Sequence, residues 1–248
     1  MAAATHLNHK VQGHNDSGIL ENPCLPLFPY SSFRACSVPL PDAASASPLR
    51  AKNALRRELR RRRRVLTPRQ QRTAAAGLCQ RLKTLPELRR ARRISLYLPV
   101  SGEIDPLPLL PWLYRRGVNV YLPVLRPFSA NSLWFVAYRP GTPMIKNRFG
   151  IREPAPRFSA RRANRLPAWA LDTLIVPLVG FDAHANRMGM GGGFYDRTLA
   201  FMRHPGPKPT LIGAAHACQQ VDRLPVEPWD IALTAIVTDT AVVRPPRR

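Results

Sequence analysis

Apolar residues recur along this chain in two rhythms. From position 48 onward Leu49, Leu55, Leu59 and then Val65 or Leu66 fall at helical spacing. That spacing predicts a helix with Ser47 as its cap and Pro48 at its first position, where the missing proline N–H costs nothing. Thr67 and Gln70 have the spacing of a capping box and open a second helix carrying Ala74, Leu78 and Leu82. Continuous apolar runs follow at 94–100, 118–124, 133–138, 172–181, 211–215 and 231–238, and each reads as a strand. Residues 107–116 are helical in pattern despite Pro108 and Pro111, and stop at Gly117. Residues 143–167 read as mostly irregular. Strands alternating with helices predict an α/β fold, a single three-layer domain over 49–248 with a mainly parallel sheet flanked by helices. Residues 1–48 are rich in Pro, Ser, Ala and Asn without a period, and read as a disordered extension.

Composition narrows the class. At 248 residues the chain is long enough for one domain with a full hydrophobic core. Its formal net charge of +23 predicts non-specific attraction to nucleic acids and other polyanions at low salt. The four cysteines form no C-x-x-C pair, and a reduced cytoplasmic location is the simplest expectation. No apolar run reaches the ~20 residues that cross a bilayer, so no membrane partner is expected. The first residues lack the basic start and apolar core of a signal peptide.

The densest chemistry lies at Arg187-Met188-Gly189-Met190-Gly191-Gly192-Gly193-Phe194-Tyr195-Asp196-Arg197. A glycine-rich turn between a strand and a helix can bring backbone N–H groups close to a phosphate. The segment lacks the Gly-Lys-Ser/Thr ending of a Walker loop, and its glycine spacing does not fit G-x-G-x-x-G. Glycine alone is equally compatible with a ligand-free turn. The flanking Arg187 and Arg197 favour an anion, and Asp196 suits either a divalent metal or a helix cap.

This loop resembles the R-L-G-x-G-x-G-[YF]-Y-D signature of the 5-formyltetrahydrofolate cyclo-ligases. The resemblance extends in order over about residues 50–240. Lys52-Asn53-Ala54-Leu55-Arg56 is similar to the family's K-x-x-L-R. Ile94 to Pro99 with Glu103-Ile104 is similar to its first strand and acidic turn. Phe149-Gly150-Ile151-Arg152-Glu153-Pro154 resembles F-G-I-x-E-P, and Val179-Gly180-Phe181-Asp182 resembles the lead into the loop.

The resemblance implies an ATP-dependent ligase that phosphorylates the formyl oxygen of 5-formyltetrahydrofolate and closes the ring to 5,10-methenyltetrahydrofolate. It implies ATP binding by Lys52, Arg56 and the loop Arg187, Met188, Gly189, Met190, Gly191, Gly192, Gly193, Phe194 and Tyr195, with Arg187 and Lys52 acting in catalysis. It implies folate contacts at Leu98, Glu103, Phe149, Phe194 and Tyr195, and Mg²⁺ at Asp196 and Asp230. Competing readings stand beside several of these. Lys52 and Arg56 share a helix face that is also basic at Arg57 and at 60–64. Asp230 reads equally as a surface aspartate, with Glu227 nearby and Asp222 as an alternative. Phe149 fits a core as well as a site. The sequence also departs from the pattern. Phe194 lacks the hydroxyl of the usual tyrosine, Met190 replaces a tyrosine or arginine, and Ala185 stands where glycine is common. If position 185 requires a positive φ, Asn186 is expected to take the strain. Two other functions remain open: a nucleic-acid-binding protein using the arginine-rich helix, and an ATP-dependent enzyme of the same fold with another substrate.

Overall fold

The structure, a computed structural model, describes residues 48–129 and 131–246. The expected disordered extension and the Ser47 cap lie outside the described residues, apart from Pro48. Two helices open the fold, α1 (Pro48–Arg64) and α2 (Pro68–Thr84), followed by the short α3 (Pro86–Arg90). The Thr67 cap forms as its sequence predicts: Thr67 Oγ1 accepts from the Gln70 N–H at 3.3 Å, and the Gln70 side chain accepts from the Thr67 N–H at 2.8 Å. Then come β1 (Arg93–Ser95), a 3-10 turn at Leu107–Leu109 leading into α4 (Leu110–Arg115), β2 (Asn119–Leu125) and β3 (Leu133–Tyr138). The expected irregular stretch contains β4 (Met144–Lys146), β5 (Arg152–Pro154), α5 (Pro156–Ala160) and β6 (Arg165–Leu166). The glycine segment joins β7 (Thr173–Pro177), the hairpin β8 (Gly180–Phe181) and β9 (Arg187–Met188), and α6 (Phe194–Thr198). The chain closes with β10 (Thr210–Ala214), β11 (Ala235–Val237) and β12 (Val242–Val243).

The main sheet has eight strands in the order β12-β11-β10-β7-β1-β2-β3-β6. Its centre is parallel from β11 to β2; β12 and β3 run antiparallel to it at either side, and β6 pairs antiparallel with β3 at the edge. Successive residues of β7 face opposite layers, as strand geometry requires. Ile175 joins the core under α2, α3 and α4, with Leu78, Leu88 and Leu113. Leu174 and Val176 join the other core, with Phe181 of the hairpin, Leu199 after α6, and the loop residues Ile231 and Leu233. The apolar run at 231–238 was thus only partly a strand. Its first half buries side chains from a loop, which gives the same apolar signal as a strand. The 172–181 run also divides, because the chain leaves the sheet after Pro177 to form the hairpin. Among the described residues no helix is long and apolar enough to cross a membrane.

The topology places a crevice. From β1 the chain moves to β2 on one side, and from β7 it moves to β10 on the other, although β1 and β7 are parallel neighbours. Connections that diverge from adjacent parallel strands leave a gap at their carboxyl ends, where α/β proteins hold ligands. The segments leaving those two ends are 96–104 and 178–196, which contain Glu103 and the glycine loop.

Candidate active site

Helix α1 crosses this gap and holds both segments. Leu59 packs fully buried against Gly180, so tightly that a Cβ at Gly180 would lie 2.4 Å from Leu59 Cδ1. Arg56 Nε donates to the Gly189 carbonyl at 3.1 Å, which fixes the start of the glycine loop. Seven residues on, the same face presents Arg63, which has no solvent exposure. Arg63 donates to the carbonyls of Ser101 (3.0 Å) and Leu178 (3.3 Å), and its Nη2 lies 3.5 Å from Glu103 Oε1. An arginine on the buried stripe of a helix needs several acceptors to offset its lost hydration, and here it finds them on both sides of the crevice. Gln219 adds a further clasp, donating to the Leu178 and Val179 carbonyls.

The glycines serve distinct geometric needs. Gly191 (φ 97°) and Gly193 (φ 65°) are left-handed, while a side chain at Gly192 would meet the Phe194 ring at 2.8 Å. The Gly192 carbonyl accepts from Arg197 at 2.7 Å and from Asn131 at 3.2 Å. Among the described residues the N–H groups of Gly189, Met190 and Gly191 to Gly193 donate to no backbone carbonyl. The loop therefore has the carbonyls of Gly189, Gly192 and Gly193 occupied while its N–H donors stay free of backbone acceptors. The helix that follows spans only Phe194–Thr198, so those N–H groups matter more than an axial dipole. Ala185 itself takes the left-handed conformation, at φ 60°, and it is buried. The strain expected at Asn186 therefore sits at Ala185. Asn186 instead caps the turn, its side chain donating to Asp182 at 2.9 Å. Asp182 also receives the N–H groups of His184, Asn186 and Leu224, which gives that motif residue a structural role.

At the loop's end Arg187 Nη2 and Asp196 Oδ1 are 2.5 Å apart, the arginine nearly enclosed and the carboxylate about a third exposed. Lys52 Nζ lies 3.4 Å from Glu227 Oε1. Asp230 accepts from the Glu227 N–H at 2.9 Å, so Lys52 and Asp230 meet through that residue. Among the described residues no group of three or more His, Cys, Asp or Glu is arranged to hold a metal. The carboxylate chemistry of Asp196 still fits a magnesium ion that takes its remaining ligands from phosphate and water.

On the other wall Glu103 is buried, and its Oε2 accepts from the Val100 N–H at 3.1 Å. Burial pushes its carboxyl above the ordinary glutamate value, opposed by Arg63, by the Val100 N–H and by Arg60. Burial, and then the Glu103 charge, push the Tyr195 phenol up against the pull of Arg187. Tyr195 therefore feels both the acidic wall and the loop. Leu98 is half-buried and packs on the core beneath. Phe149 and Phe194 meet edge to face, centroids 6.0 Å apart at 84°. Phe149 is exposed rather than in the core. Its loop is anchored by the buried Glu153, which accepts from Asn147 Nδ2 at 2.9 Å.

The structure gathers the expected residues into three groups. Arg56, Arg187, the loop and Asp196 stand together, with Phe149 against Phe194; Glu103 lies on the other wall, its charge felt by Tyr195. Lys52 and Asp230 meet on Glu227. Sequence reasoning missed Arg63 and Gln219. The sequence holds only a partial signal for Arg63: it lies four residues after Leu59 and so shares its helical face, but the neighbouring arginines mask it.

Comparison with known proteins identifies the family. The 5-formyltetrahydrofolate cyclo-ligase family profile matches residues 48–239. The chain is 46% identical to the 5-formyltetrahydrofolate cyclo-ligase of Escherichia coli over 74% of its own length and 98% of the relative's. It is 45% identical to that of Haemophilus influenzae, over 74% and 95%. Among solved structures, the Aquifex aeolicus 5,10-methenyltetrahydrofolate synthetase superposes with a TM-score of 0.65 at 30% identity, covering 78% of this chain and 92% of the other. The chain belongs to the 5-formyltetrahydrofolate cyclo-ligase family.

Proposed function

We propose that the chain cyclises 5-formyltetrahydrofolate to 5,10-methenyltetrahydrofolate, converting ATP to ADP and phosphate. The observation that carries this reading is the clasp of α1, which ties a glycine loop with free N–H groups to a buried carboxylate across one crevice. The formyl oxygen attacks the γ-phosphorus, and the bond from that phosphorus to the β–γ bridging oxygen breaks, leaving its electrons on ADP. The formyl carbon is then an iminium phosphate. N10 adds to it and loses its proton to solvent, and phosphate departs with the electrons of the C–O bond. Phosphoryl transfer asks the protein mainly for positioning and charge neutralisation.

Lys52, Arg56 and the loop 187–195 bind ATP in this reading. Arg187 neutralises charge on the transferred group and Lys52 assists at the nucleotide end. Glu103 accepts hydrogen bonds from the donor edge of the pterin. Leu98, Phe149, Phe194 and Tyr195 supply apolar contact to the folate. Asp196, with Asp230 in a weaker role, holds Mg²⁺, which when bound neutralises phosphate charge. Residues 49–248 form the catalytic domain and 1–48 are dispensable for it. The enzyme works in the cytoplasm, and its excess arginine attracts polyanions only non-specifically.

The test is spectrophotometric. Purified protein with MgATP and 5-formyltetrahydrofolate should give methenyl-folate absorbance that depends on both. No turnover, with neither ligand bound, overturns the reading and leaves the nucleic-acid alternative to be tested by retention at physiological salt.

A further inference from the structure

The face of α1 that clasps the crevice carries four cations in sequence: Lys52, Arg56, Arg60 and Arg63. Three of them are engaged. Lys52 meets Glu227, Arg56 bonds Gly189 and Asn53, and Arg63 bonds Ser101, Leu178 and Glu103. Arg187, at the start of the glycine loop, pairs with Asp196 through Nη2, while its enclosed Nε has no hydrogen-bond partner among the described residues. Arg60 differs from the other three cations of α1: its Nε is enclosed and has no hydrogen-bond partner among the described residues. A shielded guanidinium N–H without an acceptor is uncommon, because leaving it unmade carries the full desolvation cost.

Its position says what acceptor would suit it. At a rise of about 1.5 Å per residue, Arg60 stands roughly 6 Å along the helix from Arg56 and roughly 4.5 Å from Arg63. Arg56 is fixed to the glycine loop, and Arg63 to Glu103. Along the helix axis Arg60 therefore lies between the residue that holds the segment assigned to the phosphates and the residue that holds the carboxylate assigned to the pterin. Its charge reaches the second group, where it favours ionised Glu103 and disfavours the charged form of Arg63.

We infer that Arg60 is a catalytic residue that contacts the phosphoryl group as it passes from ATP to the formyl oxygen. The inference rests on the proposed reaction and adds a residue to it. During transfer the γ-phosphorus–bridging-oxygen bond breaks and the bond to the formyl oxygen forms, with negative charge spread over the three non-bridging oxygens. The unused donors of Arg60 supply hydrogen bonds to those oxygens from the α1 side, where Lys52, Arg56 and Arg63 are already engaged, and complement Arg187 on the loop side. Because the contact forms in transfer, Arg60 acts on turnover more than on ATP affinity.

The experiment compares wild type, Arg60→Ala, Arg60→Lys and Arg56→Ala, measuring kcat, ATP affinity by calorimetry, melting temperature, and the response of Arg60→Ala to added guanidinium ion. The expected result is a fall in kcat of about 100-fold or more for Arg60→Ala, the scale of losing one transition-state donor. ATP affinity should change less than about threefold, against a clear loss for Arg56→Ala. Guanidinium ion should restore part of the rate, and Arg60→Lys should retain more than alanine. A kcat within about threefold of wild type overturns the inference, as does a loss matched by equal weakening of ATP affinity or one unmoved by guanidinium. If Arg60→Ala does not fold, Arg60→Lys decides: wild-type kcat at normal melting temperature counts against the contact, and a lowered kcat with normal ATP affinity supports it. An inactive wild type would instead sink the proposed reaction, so the two failures are distinct.

Discussion

Arg63 and Glu103 form an ion pair 3.5 Å long in which the guanidinium is fully enclosed and the carboxylate side chain is 6% exposed. The pair joins α1 to the turn after β1. Its two partners depend on one another, because neither charge has water to fall back on.

The first prediction concerns pH. Burial raises the Glu103 carboxyl above its unfolded value, with Arg63 opposing. A carboxyl raised by folding binds its proton more tightly in the native state, so between the unfolded and folded values stability falls as pH rises. Above the folded value the cost is constant. In the proposed reaction folate binding has the opposite sign, since there the pterin edge meets the ionised acceptor. The KM for folate should therefore begin to climb on acidification at a pH above the ordinary glutamate range, and Glu103→Gln should abolish that step. A folate KM flat down to pH 4.5 would contradict it. Removing the cation instead, with Arg63→Met, should destabilise by about 3–5 kcal/mol by leaving Glu103 buried and unpaired.

A second concerns Asp196. Its bond to Arg187 gives the carboxylate a structural partner besides any metal. Asp196→Asn keeps a hydrogen-bond acceptor for Arg187 and removes the charge. With a metal role, turnover should drop by about 100-fold and recover in part at high Mg²⁺, at unchanged melting temperature. With a purely structural role, the rate at low Mg²⁺ should stay near normal and only stability should shift, by under about 2 kcal/mol.

A third tests packing away from the crevice. Gly77 lies inside α2, where alanine would gain about 1 kcal/mol from helix propensity alone. A Cβ there, however, would stand 2.6 Å from the Asp239 carbonyl oxygen. That oxygen already accepts from Arg81 at 2.6 Å and belongs to backbone, so it has little room to move. Steric cost should win. Gly77→Ala is expected to lower stability by about 1–3 kcal/mol in denaturant titration. A stabilised variant would show that α2 can shift away from the 238–241 turn.

Long-period features of this fold were legible in the sequence, and short ones were not. Helices α1 and α2 follow from their apolar spacing and from the Thr67–Gln70 box. The parallel centre follows from long apolar runs separated by helical segments. Strands β4, β5 and β6 are two or three residues long, too short to show alternation. Ile231 and Leu233 looked like strand because burial in a loop and burial in a sheet leave the same composition. Within the site, the glycine loop and Glu103 stood out through their resemblance to a family pattern. Arg63 did not, because a run of five arginines at 60–64 hides which one turns inward. Only the register of the helix, fixed by Leu59 against Gly180, distinguishes it. Ala185 shows the reverse: a residue type that argued against a left-handed turn occupies one, because Asp182 gathers enough N–H donors to hold it there.

The attachments of α1 have a consequence for how the protein is made. Its crevice-side bonds reach forward 38 to 175 residues, to Ser101, Leu178, Gly189 and Glu227. The first described helix is thus among the first parts synthesised, yet it lacks most of its anchors until nearly the whole domain has been translated. Contacts of such sequence separation close late, because loop entropy must be spent before they return any energy. Both halves of the proposed site take their final geometry from that closure. The two walls of the crevice therefore mature together, in one event, and a chain truncated before position 227 lacks both the Lys52 partner and the finished clasp.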